Sequence, residues 1–158
     1  GASCLTAWSR GQSWAIYGFT MMYRETGKKE YLQFAQKLSD YAIYHKNMPS
    51  DGIPYWDYGA PGEERDTSAA AVMASGLLEL SKYVPFDKGR EYRAFAVKQL
   101  LSLASNEYFA AQGENGGFIL KHGVGHKPGK SEIDVPLNYG DYYFLEALLR
   151  FRAMSEQK

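Results

Sequence analysis

The sequence predicts an all-α protein, an incomplete (α/α) toroid in which inner and outer helices alternate. Three observations carry that expectation. Apolar residues recur at helical spacing in five successive stretches, these stretches are of two alternating kinds, and the links between them are short on one side and long on the other.

The first helix is expected over about 10–25, stopped by Gly27. In residues 28–46, Tyr31, Phe34, Ala35, Leu38, Tyr41 and Ala42 fall on one face, with Lys28, Lys29, Gln33, Lys37 and Asp40 elsewhere. A third helix starts at Asp66, whose carboxylate can cap the amides of Thr67 to Ala69, and runs to about Tyr83 before Pro85. The fourth spans about 88–103, with Tyr92, Phe95, Ala96, Leu100 and Leu103 on a stripe. The last covers about 139–154 behind an Asn138 cap.

Helices one, three and five carry small residues or aromatics on several faces: Gly11, Ser13, Ala15 and Gly18, then the run around Ala69 to Gly76, then Gly140 to Phe144. A helix of that kind is enclosed, whereas the one-striped second and fourth lie outside. Short turns join inner to outer helices, while the returns, 47–65 and 105–138, are long and feed the N-termini of inner helices at one end of the assembly. Long loops in a compact domain are usually functional. Asn115-Gly116-Gly117 followed by Phe118-Ile119-Leu120 predicts a small hairpin in the second return. Five helices do not close a ring of six hairpins, so part of the ring is expected to be missing or supplied by another chain. A start at Gly1 without Met fits a piece of a longer protein.

Composition narrows the function. The 158 residues carry 18 Lys+Arg and 18 Asp+Glu, with no basic run, which argues against nucleic acid as a partner. No stretch approaches the roughly 18 uninterrupted apolar residues of a membrane span. The single cysteine, Cys4, excludes an internal disulfide and a multi-cysteine zinc site and leaves the compartment open between cytoplasm and periplasm. Against this ordinary background stand 13 Tyr, 8 Phe and 3 Trp, side chains apolar in body and polar at the tip, suited to a Tyr-rich core or to a carbohydrate-facing cleft.

Trp8-Ser9-Arg10-Gly11-Gln12-Ser13-Trp14 opens the first inner helix. Arg10 offers a planar fork of donors for a carboxylate or sulfate, and Trp14, one turn on, lies on the same face; a buried ion pair with Trp as core filler is the alternative. Asp51-Gly52-Ile53-Pro54-Tyr55-Trp56-Asp57-Tyr58 is too aromatic for a plain connector unless its rings pack on the scaffold or meet a ligand. Glu63 and Glu64 read as solvated, because adjacency in sequence does not supply the separation of a glycosidase carboxylate pair. Gly123 to Ser131 fails as a phosphate loop, since Val124 stands where the first glycine is required, and His122 and His126 lack the glutamate of a zinc-protease motif. No metal site is expected. Nor is there a nucleophile elbow or a base partner for Cys4.

Taken together, the Trp8 to Trp14 segment, Asp51 to Asp57, Arg65 to Ala71 with Ala74 to Leu80, and Asn138 to Leu148 resemble the C-terminal half of unsaturated glucuronyl hydrolases, glycoside hydrolase family 88. The resemblance covers nearly the whole chain and implies an (α/α)6 barrel. It further implies hydrolysis of the 4,5-unsaturated uronic acid at the non-reducing end of lyase-generated oligosaccharides: an aspartic acid protonates the enol ether, water adds at carbon 5, and the hemiketal collapses, without metal or organic cofactor.

The family's two aspartates lie in its N-terminal half, so none of Asp51, Asp57, Asp66 or Asp141 is expected to inherit their role, and a family glutamine is expected just before Gly1. By motif position Arg10 and Trp14 match substrate contacts. Arg10→Ala is expected to cost at least tenfold in activity with the fold intact. The stretch His122 to Ser131 falls where the family contacts the next sugar, which makes Lys127, Lys130 and Ser131 candidates; Trp56 and Tyr139 are mouth-facing candidates from the residues themselves. Three alternatives remain: an unsaturated rhamnogalacturonyl hydrolase, a sugar epimerase, and a binding or structural half inactive alone. Catalytic histidines on inner helices would mark the epimerase, but His45, His122 and His126 fall outside those spans. A half ring is expected to pair with the missing half or with itself.

Overall fold

The computed structural model describes residues 1–156. Five helices dominate it: α1 (Ser9–Thr26), α2 (Lys29–Ile43), α3 (Thr67–Leu80), α4 (Phe86–Leu103) and α5 (Asn138–Ser155). Helix α3 is the centre. It packs against α1, α5 and α4, while α2 packs on α1. The inner row is therefore α1, α3, α5, backed by α2 and α4.

Composition explains the central position. All 14 residues of α3 are buried, and its Ala, Ser and Gly side chains let neighbours approach closely. At Gly76 an added Cβ would stand 3.1 Å from the Tyr17 Cα, so the α1–α3 crossing needs a residue without a side chain. Enclosure on all faces, expected for every inner helix, holds only for α3. Helices α1 and α5 end the row: Trp14, Ala15, Gly18, Phe19, Met21 and Met22 line an open apolar depression on α1, and Tyr142, Leu145, Leu148 and Leu149 of α5 are exposed.

The short turns lie at one end of the row. Gly27, in left-handed conformation with φ of 68°, terminates α1, and Pro85 precedes α4. The Asp66 cap forms as expected, its Oδ1 accepting from the Ser68 and Ala69 amides at 3.1 and 3.3 Å. The Asn138 cap does not. Asn138 is the first residue of α5, Leu137 occupies the cap position, and Asn138 Oδ1 takes only the adjacent Tyr139 amide, at 2.8 Å.

The long returns gather at the opposite end and are tied to each other's helices. The Ser9 amide donates to the Trp56 carbonyl, and the Thr67 amide to that of His122. The hairpin expected at 115–120 is instead a 3-10 turn, Asn115–Gly117, followed by one isolated bridge between Phe109 and Leu120. The amides of Ile119 and Leu120 go to the Asp141 carboxylate, which leaves no ladder there to extend. The true hairpin follows it: β1 (Gly123–His126) and β2 (Ser131–Val135) pair antiparallel, Val124 opposite Ile133 and His126 opposite Ser131. What read as an irregular loop is thus a two-stranded ribbon. Lys130, just before β2, and Glu132 and Asp134 within it have positive φ, a backbone conformation uncommon for such residues.

Candidate functional site

The N-terminal ends of α1, α3 and α5 converge beneath the long returns, and Arg10 lies at their meeting point. Its guanidinium is buried, 3.2 Å from the Asp66 carboxylate, with side-chain exposures of 6% and 0%. Nη1 also donates to Ser68 Oγ at 3.3 Å and to the Val124 carbonyl, while Nη2 donates to the Gly125 carbonyl at 2.7 Å. Arg10 therefore joins the N-terminus of α3 to strand β1. Burial pushes the Asp66 carboxyl above the usual carboxylate range, with Arg10, Ser68 and the Val124 and Ala69 amides opposing that shift. A charge at that depth needs its partner.

Aromatic rings frame this pair. The Arg10 guanidinium lies 4.7 Å from the Trp8 ring centre and 5.2 Å from that of Tyr139. One turn along α1, Trp14 faces Tyr139 at 6.4 Å and meets Tyr143 edge-on at 4.9 Å. Burial raises the Tyr139 hydroxyl above its ordinary pKa, Asp66 and Glu132 add to the effect, and Arg10 opposes it. Trp14 and Tyr139 are half-buried and Trp8 is 36% exposed, so the wall offers ring faces and edges for contact.

The remaining candidates lie on the hairpin and the first return. Trp56 is buried, its indole N–H donating to Glu63 Oε2 at 2.8 Å, and with Ala60 and Val124 it forms a small core apart from the main one. Lys127 bonds Glu63 at 2.5 Å and also Glu64, with its ammonium 5.6 Å from the Trp56 ring. Partial burial works against the charged lysine, but the two carboxylates outweigh it and raise its pKa; Lys127 and the Trp56 indole in turn hold Glu63 low. Glu63 and Glu64 are thus partners in a clamp rather than merely solvated. Lys130 and Ser131 are exposed at the hairpin tip. The structure brings Arg10, Trp14 and Tyr139 together, and sets Trp56 and Lys127 in a second group that adjoins them through Trp8.

Several participants carried no signal of their own. Asp66 was legible as a cap but not as the partner of Arg10, and the carbonyls of Val124 and Gly125 belong to no motif. Tyr143 could have been found from its position one turn after Tyr139 on the same helix. His122 is paired with Asp134 at 2.6 Å.

No protein-family model matches the chain. It is 46% identical over 92% of its length to an unsaturated glucuronyl hydrolase of Formosa agariphila, and 33% identical over 96% to an unsaturated chondroitin disaccharide hydrolase of Streptococcus agalactiae. The chain spans 36% and 38% of those proteins. Among solved structures, an unsaturated glucuronyl hydrolase specific for heparin superposes with a TM-score of 0.93 at 46% identity, covering 96% of this chain and 41% of that one. A variant of the Streptococcus agalactiae enzyme complexed with dGlcA-GalNAc6S gives 0.86 at 34% identity, with 96% and 41% covered. Four ordered sequence blocks and a matching arrangement of inner and outer helices place this chain in the unsaturated glucuronyl hydrolase family, as a portion of its (α/α)6 toroid.

Proposed function

We propose that the protein hydrolyses 4,5-unsaturated glucuronyl residues at the non-reducing end of lyase-generated oligosaccharides, with glycosaminoglycan fragments as the substrate class. The observation that carries this reading is the superposition, at 46% identity, on an unsaturated glucuronyl hydrolase specific for heparin. In the reaction an acid protonates the enol-ether double bond, water adds at carbon 5, and the resulting hemiketal collapses to release the rest of the sugar.

This chain supplies the wall that holds the sugar, and the acid comes from outside it. Four of its aspartates at the mouth are spent on structure: Asp57 accepts the Ala2 and Gly59 amides, Asp51 pairs with Arg65 and the Tyr108 hydroxyl, Asp141 takes the Ile119 and Leu120 amides, and Asp66 faces Arg10, while Asp134 pairs with His122 on the hairpin. Trp14 and Tyr139 stack against the unsaturated ring. Arg10 holds Tyr139, Trp8 and strand β1 in register and lends its positive field to the uronate carboxylate. Trp56, Lys127, Lys130 and Ser131 serve the next sugar.

The open apolar sides of α1 and α5 are covered by further helices of the ring, and the chain alone self-associates through them. A clean monomer in light scattering over a broad concentration range would count against that. For the activity, the ultraviolet absorbance of an unsaturated uronate disaccharide is followed with protein from the complete reading frame and with the 158-residue chain beside it. Loss with the complete protein alone is expected. Loss with the chain alone would relocate the acid to one of its carboxylates, and loss with neither would overturn the assignment.

A further inference from the structure

A cavity of about 180 Å³ opens beside the aromatic wall, bounded by Trp8, Trp56, His126, Lys127 and Pro128. Two indoles and a proline ring make it a slot for the apolar face of a pyranose. Lys127 also borders a larger cleft of about 520 Å³ on the other side, where Glu63, Glu64, Glu107 and Asp134 gather. The lysine therefore stands in the partition between an aromatic slot and an acidic cleft, and both of its carboxylate partners are on the acidic side. Its ammonium remains over the Trp56 ring, at the edge of the slot.

We propose that Glu63 and Glu64 are specificity-determining residues: by engaging Lys127 they withhold its charge from the slot, so that the site as built discriminates little between a sulfated and an unsulfated second sugar. This rests on the reading that the slot receives the sugar next to the unsaturated residue. Two carboxylates on one ammonium leave it no positive charge to offer the slot. Neutralising them frees that charge and leaves three donors on a side chain long enough to turn toward the slot. Glu63 has a second task, accepting the Trp56 indole N–H, and a glutamine oxygen can still perform it.

The test uses protein from the complete reading frame and two unsaturated disaccharides that differ only by a sulfate on the second sugar. Dissociation constants are measured by calorimetry and kcat/KM by absorbance. In Glu63→Gln/Glu64→Gln the affinity ratio should move toward the sulfated sugar by on the order of tenfold, the size of one charge-assisted hydrogen bond. Adding Lys127→Met should abolish that gain; a gain that survives it would come from the lost acid charge alone and overturns the proposal, as does an unchanged ratio. Glu64→Gln alone, which leaves Glu63 on the Trp56 indole, should move the ratio the same way by less and serves if the double variant misfolds. Wild-type protein that binds both sugars without turnover would refute the reaction assigned above, while the affinity ratio would still decide the role of the clamp.

Discussion

The two ends of the inner helix row use the same chemistry for different work. At the mouth, Arg10 and Asp66 form a buried pair whose remaining donors reach backbone carbonyls of a strand 114 and 115 residues away in sequence. At the base, Glu79 is held between Arg24 at 2.8 Å and Arg150 at 2.9 Å, one from α1 and one from α5, with Arg150 also donating to the Ser75 carbonyl. One arrangement fastens loops onto helices. The other fastens helices to each other where the turns are short and have little to position. An inner row can thus keep a fixed base while its mouth carries variable returns, and the mouth pair, not the base pair, should govern where the aromatic wall stands.

Removing each pair tests that division. Arg10→Ala strips the buried Asp66 of its partner and frees the Val124 and Gly125 carbonyls, the first of them buried, so we expect a loss of about 3–5 kcal/mol in stability from the urea midpoint. A fall of at least tenfold in kcat/KM should accompany it. The sequence-level expectation of an intact fold is revised accordingly, because the side chain is buried and fully engaged. Arg10→Lys should rescue little, since a single ammonium cannot serve Asp66, Val124 and Gly125 together. Glu79→Gln keeps a hydrogen-bond acceptor but loses the charge, and the Arg24 side chain is 41% exposed, so about 1–2 kcal/mol is expected with KM unchanged. A KM that moved as far in Glu79→Gln as in Arg10→Ala would break the contrast between the ends.

What was legible in the sequence is what local physics determines. Helix periodicity, the Asp66 cap, the Gly27 stop and the Ala/Ser/Gly surface of α3 each depend on residues within a few turns of one another. The family resemblance depended on ordered short blocks of the same kind. The illegible part is pairing at a distance. Nothing near Lys127 in sequence announces Glu63 and Glu64, and the pattern of Trp56 does not say that its N–H turns inward to Glu63. The hairpin was missed although Glu132 to Val135 alternates polar and apolar residues, because its partner strand holds two glycines in four residues, and the cap at α5 failed because Asn138 is drawn into the helix itself. For Arg10, ion pair and ligand contact were both open; the structure shows the pair, with the Trp8 and Tyr139 rings against its guanidinium.

The smallest expected effect is an acid titration that separates the surface clamp from the buried pair. Lys127 and the Trp56 indole hold the Glu63 carboxyl below its ordinary pKa, so its contribution is present above the unfolded value of about 4.3 and is lost as pH falls through the lower folded value. The Lys127 ammonium is shifted the other way, so the clamp's cationic side persists to pH beyond the ordinary lysine range and fails as pH rises through the raised value. Trp56 emission should therefore stay flat across neutral pH and change on the acid side, with the step abolished in Glu63→Gln. Both carboxylates are partly in water, so salt should diminish the step by screening. Stability set by the Arg10 and Asp66 pair, shielded from solvent, should respond far less to salt. If added salt weakened both equally, the mouth would be as wet as the hairpin surface, and the wall that Arg10 supports would lack the low dielectric that the proposed sugar contact requires.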